Sequence, residues 1–95
     1  MNKANFVKDM SSEFHGDAEL FKIEPAWEFT DWSEETRIIE YIVVSATIVM
    51  FSGPETYIFE ADSDGKIIDW GELPGSFQGS CDIDEALKNF EVIRP

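Results

Sequence analysis

The feature that most constrains the fold is an apolar run from Tyr41 to Phe51, interrupted only by Ser45 and Thr47. Side chains alternate between the two faces of a strand, and here both faces are largely apolar. Such a strand must be covered on both sides, so we expect it inside a sheet, with helix or loop above and below. Ser45 and Thr47 share a face and mark where the cover thins or the strand bends.

Residues 37–70 as a whole predict three consecutive strands. The sequences SGPE at 52–55 and DSDG at 62–65 are turns, because glycine tolerates positive φ and proline fixes its own φ. ETYIFEA at 55–61 and KIIDW at 66–70 flank the second turn as a hairpin. An antiparallel meander follows.

The N-terminal segment predicts a helix over residues 3–15. Val7, Met10 and Phe14 are spaced i, i+3, i+7 and would form one apolar stripe. Gly16 supplies a C-terminal stop.

The next segment predicts a short strand and a loop. Residues 18–24 alternate as in an edge strand, and Pro25 should end it. We expect a loop over 25–36. Its tryptophans, Trp27 and Trp32, are either lids over the core or exposed anchors for a partner, and the sequence leaves both open.

The C-terminal part predicts a glycine-rich loop at 71–81 and a helix at 82–90. Asp82 is a natural N-cap, with Glu85 three residues later. The closing residues 91–95 leave room for one short strand. The helix has one apolar face, made of Ile83, Ala86, Leu87 and Phe90.

These elements predict a single α+β domain over residues 1–95. We expect a mostly antiparallel sheet of four or five strands, with the C-terminal helix packed on one face. The N-terminal helix should cover the other face or an edge. A hydrophobic content of 43% is enough for one core in a chain of 95 residues.

The charge is the strongest departure from an ordinary domain. Twenty acidic and seven basic residues give a net charge of −13, and the acids lie on both sides of the apolar run. Such a field repels nucleic acid and anionic membranes and speeds encounter with a basic partner. A surface that only keeps the protein soluble is the simpler alternative.

Calcium binding is not predicted for EADSDGKIIDWGE. With Glu60 at the first position of an EF-hand loop, position 12 is Gly71, where a bidentate glutamate is needed. Glu72 is one residue late, and the flanks resemble strands where helices are required. We expect a bare hairpin turn and no metal.

Other catalytic or cofactor sites are not predicted either. GELPGSFQGS lacks the ending of a phosphate-binding loop. His15 and Cys81 are the only residues of their types, and nothing near them supports a nucleophilic pair. We therefore expect a protein without enzymatic activity or cofactor. The N-terminus lacks an apolar segment of signal-peptide length, so a cytoplasmic location is the expectation.

What remains is a surface of acids and aromatic side chains. Trp70 is included in this surface because Asp69 and Glu72 lie close to it in the sequence. Aromatic anchors among acids suit a protein that occupies the nucleic-acid-binding cleft of another protein. The predicted partner-binding residues are Trp27, Glu28, Asp31, Trp32, Glu34, Glu35, Asp62, Asp64, Asp69 and Glu72.

The runs YIVVSA, SGPETYIFEADSDGKIIDWGELPGS and DIDEALKNF resemble a set of small proteins from phages and prophages. The resemblance covers residues 18–92, and its most specific part is 55–76. It implies a phage context and the cytoplasm of a host cell, and it carries over no catalytic residues. Small acidic phage proteins are often inhibitors of host defence, such as anti-CRISPR proteins.

The expected function is therefore acidic mimicry that inhibits a basic host protein or complex. The alternative is an accessory or structural phage protein that acts by homo-oligomerisation, for instance as a dimer. Direct binding of nucleic acid or of a membrane is not expected.

Overall fold

The computed structural model describes residues 2–14, 16–30, 34–49 and 53–93, and it is mostly β. Within these residues there is one α-helix, which is too short to cross a membrane. A 3-10 turn covers Ser11–Glu13. The strands are β1 (Lys3–Asp9), β2 (Gly16–Thr30), β3 (Thr36–Val49), β4 (Gly53–Ala61), β5 (Ile67–Asp69) and β6 (Phe77–Gln78), and the helix is α1 (Ile83–Asn89).

The sheet is an antiparallel meander with the order β1-β2-β3-β4-β5, and it curls into a half-barrel. β6 also pairs with β4, at the end that β5 leaves free. Between them, Ile58 donates its N–H to the Ser76 hydroxyl and accepts a hydrogen bond from the N–H of Leu73, both at 2.9 Å. The outer edge of β4 is therefore satisfied by two short strands and a loop.

The predicted α+β class is wrong, because the N-terminal segment is a strand. β1 pairs with β2 from Lys3 opposite Glu24 to Asp9 opposite Glu19. Val7, one of the three residues of the expected helical stripe, lies at a bulge and is exposed. A stripe of three residues is a weak signal, and pairing with a long neighbouring strand overrides it.

The predicted end of the second strand at Pro25 is also wrong. β2 continues to Thr30, so much of the expected loop at 25–36 is strand. The register shifts between Lys22 and Trp27, and Pro25 lies in this irregular stretch. Proline removes no ladder hydrogen bond at such a position.

The larger part of the core lies between one face of the sheet and α1. Phe90, just after the helix, is almost fully buried there. Asp82 caps the helix, since its carboxylate accepts a hydrogen bond from the N–H of Glu85 at 3.1 Å. This confirms the predicted C-terminal helix. The cluster consists of Ala4, Phe21, Ile23, Ile39, Ile42, Val44, Ile58, Leu73, Ala86, Leu87, Phe90 and Val92.

A smaller cluster covers part of the opposite face. β3 contributes to both clusters, as its apolar faces predicted: Ile42 and Val44 lie in the first and Val43 in the second. The cover on the second face does not extend along the whole strand. The second cluster is Met10, Ala18, Leu20, Val43 and Ala61, with Phe14, Tyr41 and Ile67 packed against it.

The turn between β4 and β5 confirms the predicted hairpin. The Asp62 carboxylate accepts hydrogen bonds from the N–H groups of Asp64 and Lys66, each at 2.9 Å. Asp62 therefore stabilises the turn itself. The described residues contain no group of carboxylates, histidines or cysteines arranged to hold a metal ion.

Gly75 and Gly79 give a matched test of how tightly the loop packs on α1. Their φ angles are nearly equal, +109° and +107°. A Cβ added to Gly75 would lie 3.0 Å from the Phe90 nitrogen and 3.1 Å from the Ala86 oxygen. A Cβ added to Gly79 would meet no atom within 4 Å. We expect Gly79→Ala to lower the free energy of unfolding by about 1 kcal/mol. Gly75→Ala should lower it by about 2–4 kcal/mol, because backbone atoms must also move.

Urea denaturation measures both values. Equal losses for the two variants would show that the loop and the helix do not pack as closely as described.

Candidate functional site

Beside the smaller cluster, the second face carries a groove of about 500 Å³. Alternation along β3 and β4 places Ser45, Thr47, Tyr57 and Phe59 on this face. Ile48 stands at its margin with 78% of its surface exposed. The groove is lined by Glu13, Phe14, Ser45, Thr47, Ile48, Tyr57, Phe59 and Trp70.

Two segments outside β3 and β4 bring Phe14 and Trp70 to the groove. The 3-10 turn after β1 is closed by hydrogen bonds from Glu13 N–H to the Met10 oxygen at 3.0 Å and from Phe14 N–H to the Ser11 oxygen at 3.3 Å. Trp70 directly follows β5. Both side chains thus depend on local turns at the ends of strands.

The aromatic side chains form one continuous surface. The Phe59 and Trp70 ring centroids are 5.3 Å apart at 64°, and those of Phe14 and Trp70 are 6.4 Å apart at 52°. Tyr57 extends the row, 6.1 Å from Phe59. Trp70 nevertheless keeps 66% of its surface exposed. A large aromatic surface open to solvent is typical of a binding site.

Phe14 and Trp70 also separate the groove from a second hollow of about 300 Å³. Glu13 lines both spaces. The second hollow has mixed charge, because Asp64 and Lys66 both line it. The two spaces therefore share an aromatic wall but differ in their electrostatics.

The electrostatics of the groove favour a positive ligand. Among the described residues that line it, Glu13 is charged and none is basic. The hydrogen bond between Tyr57 and the Glu55 carboxylate raises the pKa of Tyr57, and the charges of Glu55 and Glu72 raise it further; a hydrogen bond with Gln78 opposes the rise. A phenolate is thus disfavoured at this end of the groove, as expected where the surroundings are negative.

The side chains of the groove are suited to binding a ligand. Among the described residues that line it there is no histidine or cysteine, and so no nucleophile–base pair that uses either of them. Its floor presents the hydroxyl groups of Ser45 and Thr47, and Cys81 donates its thiol to the Thr47 carbonyl at 3.2 Å. Aromatic faces with a carboxylate beside them attract cations and exclude anions.

Of the predicted residues between positions 27 and 35, those that the structure describes do not line this groove. Trp27 packs against the larger core cluster and stacks on Phe90 with ring centroids 4.5 Å apart, which supports its role as a lid. Glu28, Glu34 and Glu35 are exposed near the turn between β2 and β3. The other two predicted residues of this segment, Asp31 and Trp32, lie outside the described residues.

The predicted acids of the second half are divided among different roles. Asp64 lines the second hollow, and Glu72 acts on Tyr57 through its charge. Asp62 stabilises its own turn. Asp69 forms an ion pair with Arg37 at 3.4 Å, and Arg37 also pairs with Glu60. None of the predicted partner-binding residues that the structure describes lines the groove, and Glu72 is connected with it only through its charge near Tyr57.

Sequence reasoning missed Glu13, Phe14, Tyr57 and Phe59. Glu13 and Phe14 were placed on a helix that does not form. The signal for Tyr57 and Phe59 was present, because the alternation in ETYIFEA puts them on one face.

Comparison with known protein families, curated proteins and solved structures gives no significant match.

Trp27 and Trp70 should differ in their contribution to stability. We expect Trp27→Ala to lower the free energy of unfolding by about 2–4 kcal/mol, because it opens space beside Phe90. Trp70→Ala should cost about 1 kcal/mol, the value of its ring contacts. Chemical denaturation followed by circular dichroism measures both, and Trp27→Phe provides a milder variant if Trp27→Ala does not fold. A larger loss for Trp70→Ala would contradict the burial described.

The pKa of Tyr57 should respond to Glu55. In a Tyr41→Phe background, where Tyr57 is the one tyrosine left, we expect it to titrate above the ordinary value of about 10. Glu55→Gln removes the negative charge that opposes loss of the proton, so the pKa should fall towards that value. Ultraviolet absorbance of the tyrosinate follows the titration, and an unchanged pKa would exclude the contact with Glu55.

Proposed function

We propose that the protein is a non-enzymatic binding module that holds a basic segment of another protein in the aromatic groove. One observation carries the proposal: four aromatic side chains surround a groove without a described basic residue, in a chain of net charge −13. Aromatic faces attract cations, and the acidic field concentrates them near the site.

The same charge argues against nucleic acid as the ligand. Binding through stacked bases needs lysine and arginine side chains to hold the phosphates. No described lysine or arginine lines the groove, and Glu13 stands at its rim. A basic peptide segment meets neither obstacle.

The edges of the sheet are less suited to binding than its face. Ile93 forms a parallel bridge with Lys3 at the start of β1, and the Ala4 N–H donates to the Ile93 oxygen at 2.8 Å. A bulge between Phe6 and Lys8 interrupts the rest of that edge. At the other side β5 has three residues. Blocked, bulged or short edges discourage strand addition.

Inhibition of a basic host protein is the biological role that we attach to this binding. It rests on the charge and on the resemblance to phage proteins. A module that covers the nucleic-acid-binding surface of a defence protein would act by competition, and its acidic field would raise the association rate. Homo-oligomerisation remains the alternative, and we expect like charges of this size to oppose it at low salt.

A basic peptide tests the proposal. The probe is a short labelled peptide in which arginine and lysine alternate with glycine, titrated by fluorescence polarisation. We expect Trp70→Ala to weaken binding by about 2- to 30-fold, since a cation–π contact is worth about 0.5–2 kcal/mol. Glu13→Gln should weaken it by about 2- to 5-fold.

Two controls remove the same kind of group at positions away from the groove: one carboxylate charge and one exposed apolar side chain. Glu28→Gln removes the same charge as Glu13→Gln but lies on the exposed part of β2. Ile68→Ala removes an exposed apolar side chain that lines a different hollow. Both should bind like the wild type.

Binding that survives ~0.5 M salt unchanged would refute the electrostatic part, because screening is then nearly complete beyond a few ångströms. Equal losses of peptide affinity for Glu13→Gln and Glu28→Gln would show that the affinity depends on net charge alone and not on the position of Glu13. A dimer measured by light scattering, with no peptide bound, would favour the oligomer.

A further inference from the structure

We infer that the anchor of the groove is an arginine side chain, with its guanidinium stacked on the Trp70 indole and paired with the Glu13 carboxylate. The inference rests on the proposed function and specifies its ligand. Three features support this arrangement: the orientation of the rings around Trp70, the Glu13 carboxylate, which has no partner among the described residues, and the different charge of the two hollows.

The rings around Trp70 leave its indole accessible for stacking. Phe59 meets it edge to face at 64°, and Phe14 is tilted at 52°, so neither ring stacks parallel on the indole. Two-thirds of the side chain is exposed. A planar guanidinium can stack on such a surface, whereas a tetrahedral ammonium cannot.

Glu13 supplies the matching anion. It is exposed at the same rim as Trp70, and its carboxylate makes no hydrogen bond or ion pair with the part of the chain that the structure describes. Asp69, by contrast, already pairs with Arg37. A carboxylate accepts two parallel hydrogen bonds from a guanidinium, which adds geometric selectivity for arginine over lysine.

The charge of the two hollows sets the side from which the arginine approaches. Lys66 lines the smaller hollow together with Asp64, so a guanidinium there would meet a competing cation, whereas no described residue that lines the larger groove is basic. The larger groove offers Phe14 and Phe59 to the aliphatic stem of the arginine. The side chain therefore approaches Trp70 from the larger groove.

Three peptides of one sequence test this inference. Each carries the same flanking lysines, and the central residue is arginine, lysine or glutamine. We expect the arginine peptide to bind the wild-type protein about 3- to 10-fold more tightly than the lysine peptide. In Trp70→Ala this ratio should fall to near one, and in Glu13→Gln it should fall by about half or more. Glu28→Gln should retain the full ratio.

The outcomes separate this inference from the proposed function. Equal binding of the arginine and lysine peptides, both stronger than the glutamine peptide, would overturn the arginine anchor and leave the basic-segment module standing. No binding of any peptide would overturn both. A full arginine preference that persists in Trp70→Ala would place the arginine elsewhere and overturn the inference. Circular dichroism checks that each variant is folded.

Discussion

The structure depends on the long antiparallel pairing of β2 with β3 at the centre of the sheet. This pairing places the most apolar strand of the chain where both of its faces must be covered. The C-terminal helix and the loop through Leu73 close one face. The turn after β1 and the β4–β5 hairpin close only part of the other. The groove is the part of this second face that the described residues leave open.

Local features of the fold were predictable because their causes lie within a few residues. The cap of α1 needs only Asp82 and the N–H of Glu85, and the β4–β5 turn needs only the Asp62 side chain and its neighbours. The N-terminal strand was not predictable in this way. Its hydrogen bonds come from β2, and a pattern of three apolar residues gives no information about a partner so far along the chain. The continuation of β2 past Pro25 likewise depends on a register shift that requires knowledge of β3.

The types of residue at the candidate site could be predicted from the sequence, but their positions could be predicted only in part. The sequence showed that acids and aromatic side chains dominate the surface, and the alternation of β4 could have placed Tyr57 beside Phe59. It could not show that Trp27 turns inward onto Phe90 while Trp70 stays exposed, because both tryptophans have acidic neighbours in sequence. Trp27 packs against the cluster that α1 covers, whereas Trp70 lines the open groove on the other face.

The wall that Phe14 and Trp70 form has a consequence for how affinity and stability are connected. One ring follows the first strand and the other follows the fifth, so their contact bridges the opening of the half-barrel rather than any pair of neighbouring strands. A ligand in contact with both rings would therefore hold the two sides of that opening together. By mass action it would stabilise the folded state and oppose fraying of the first strand.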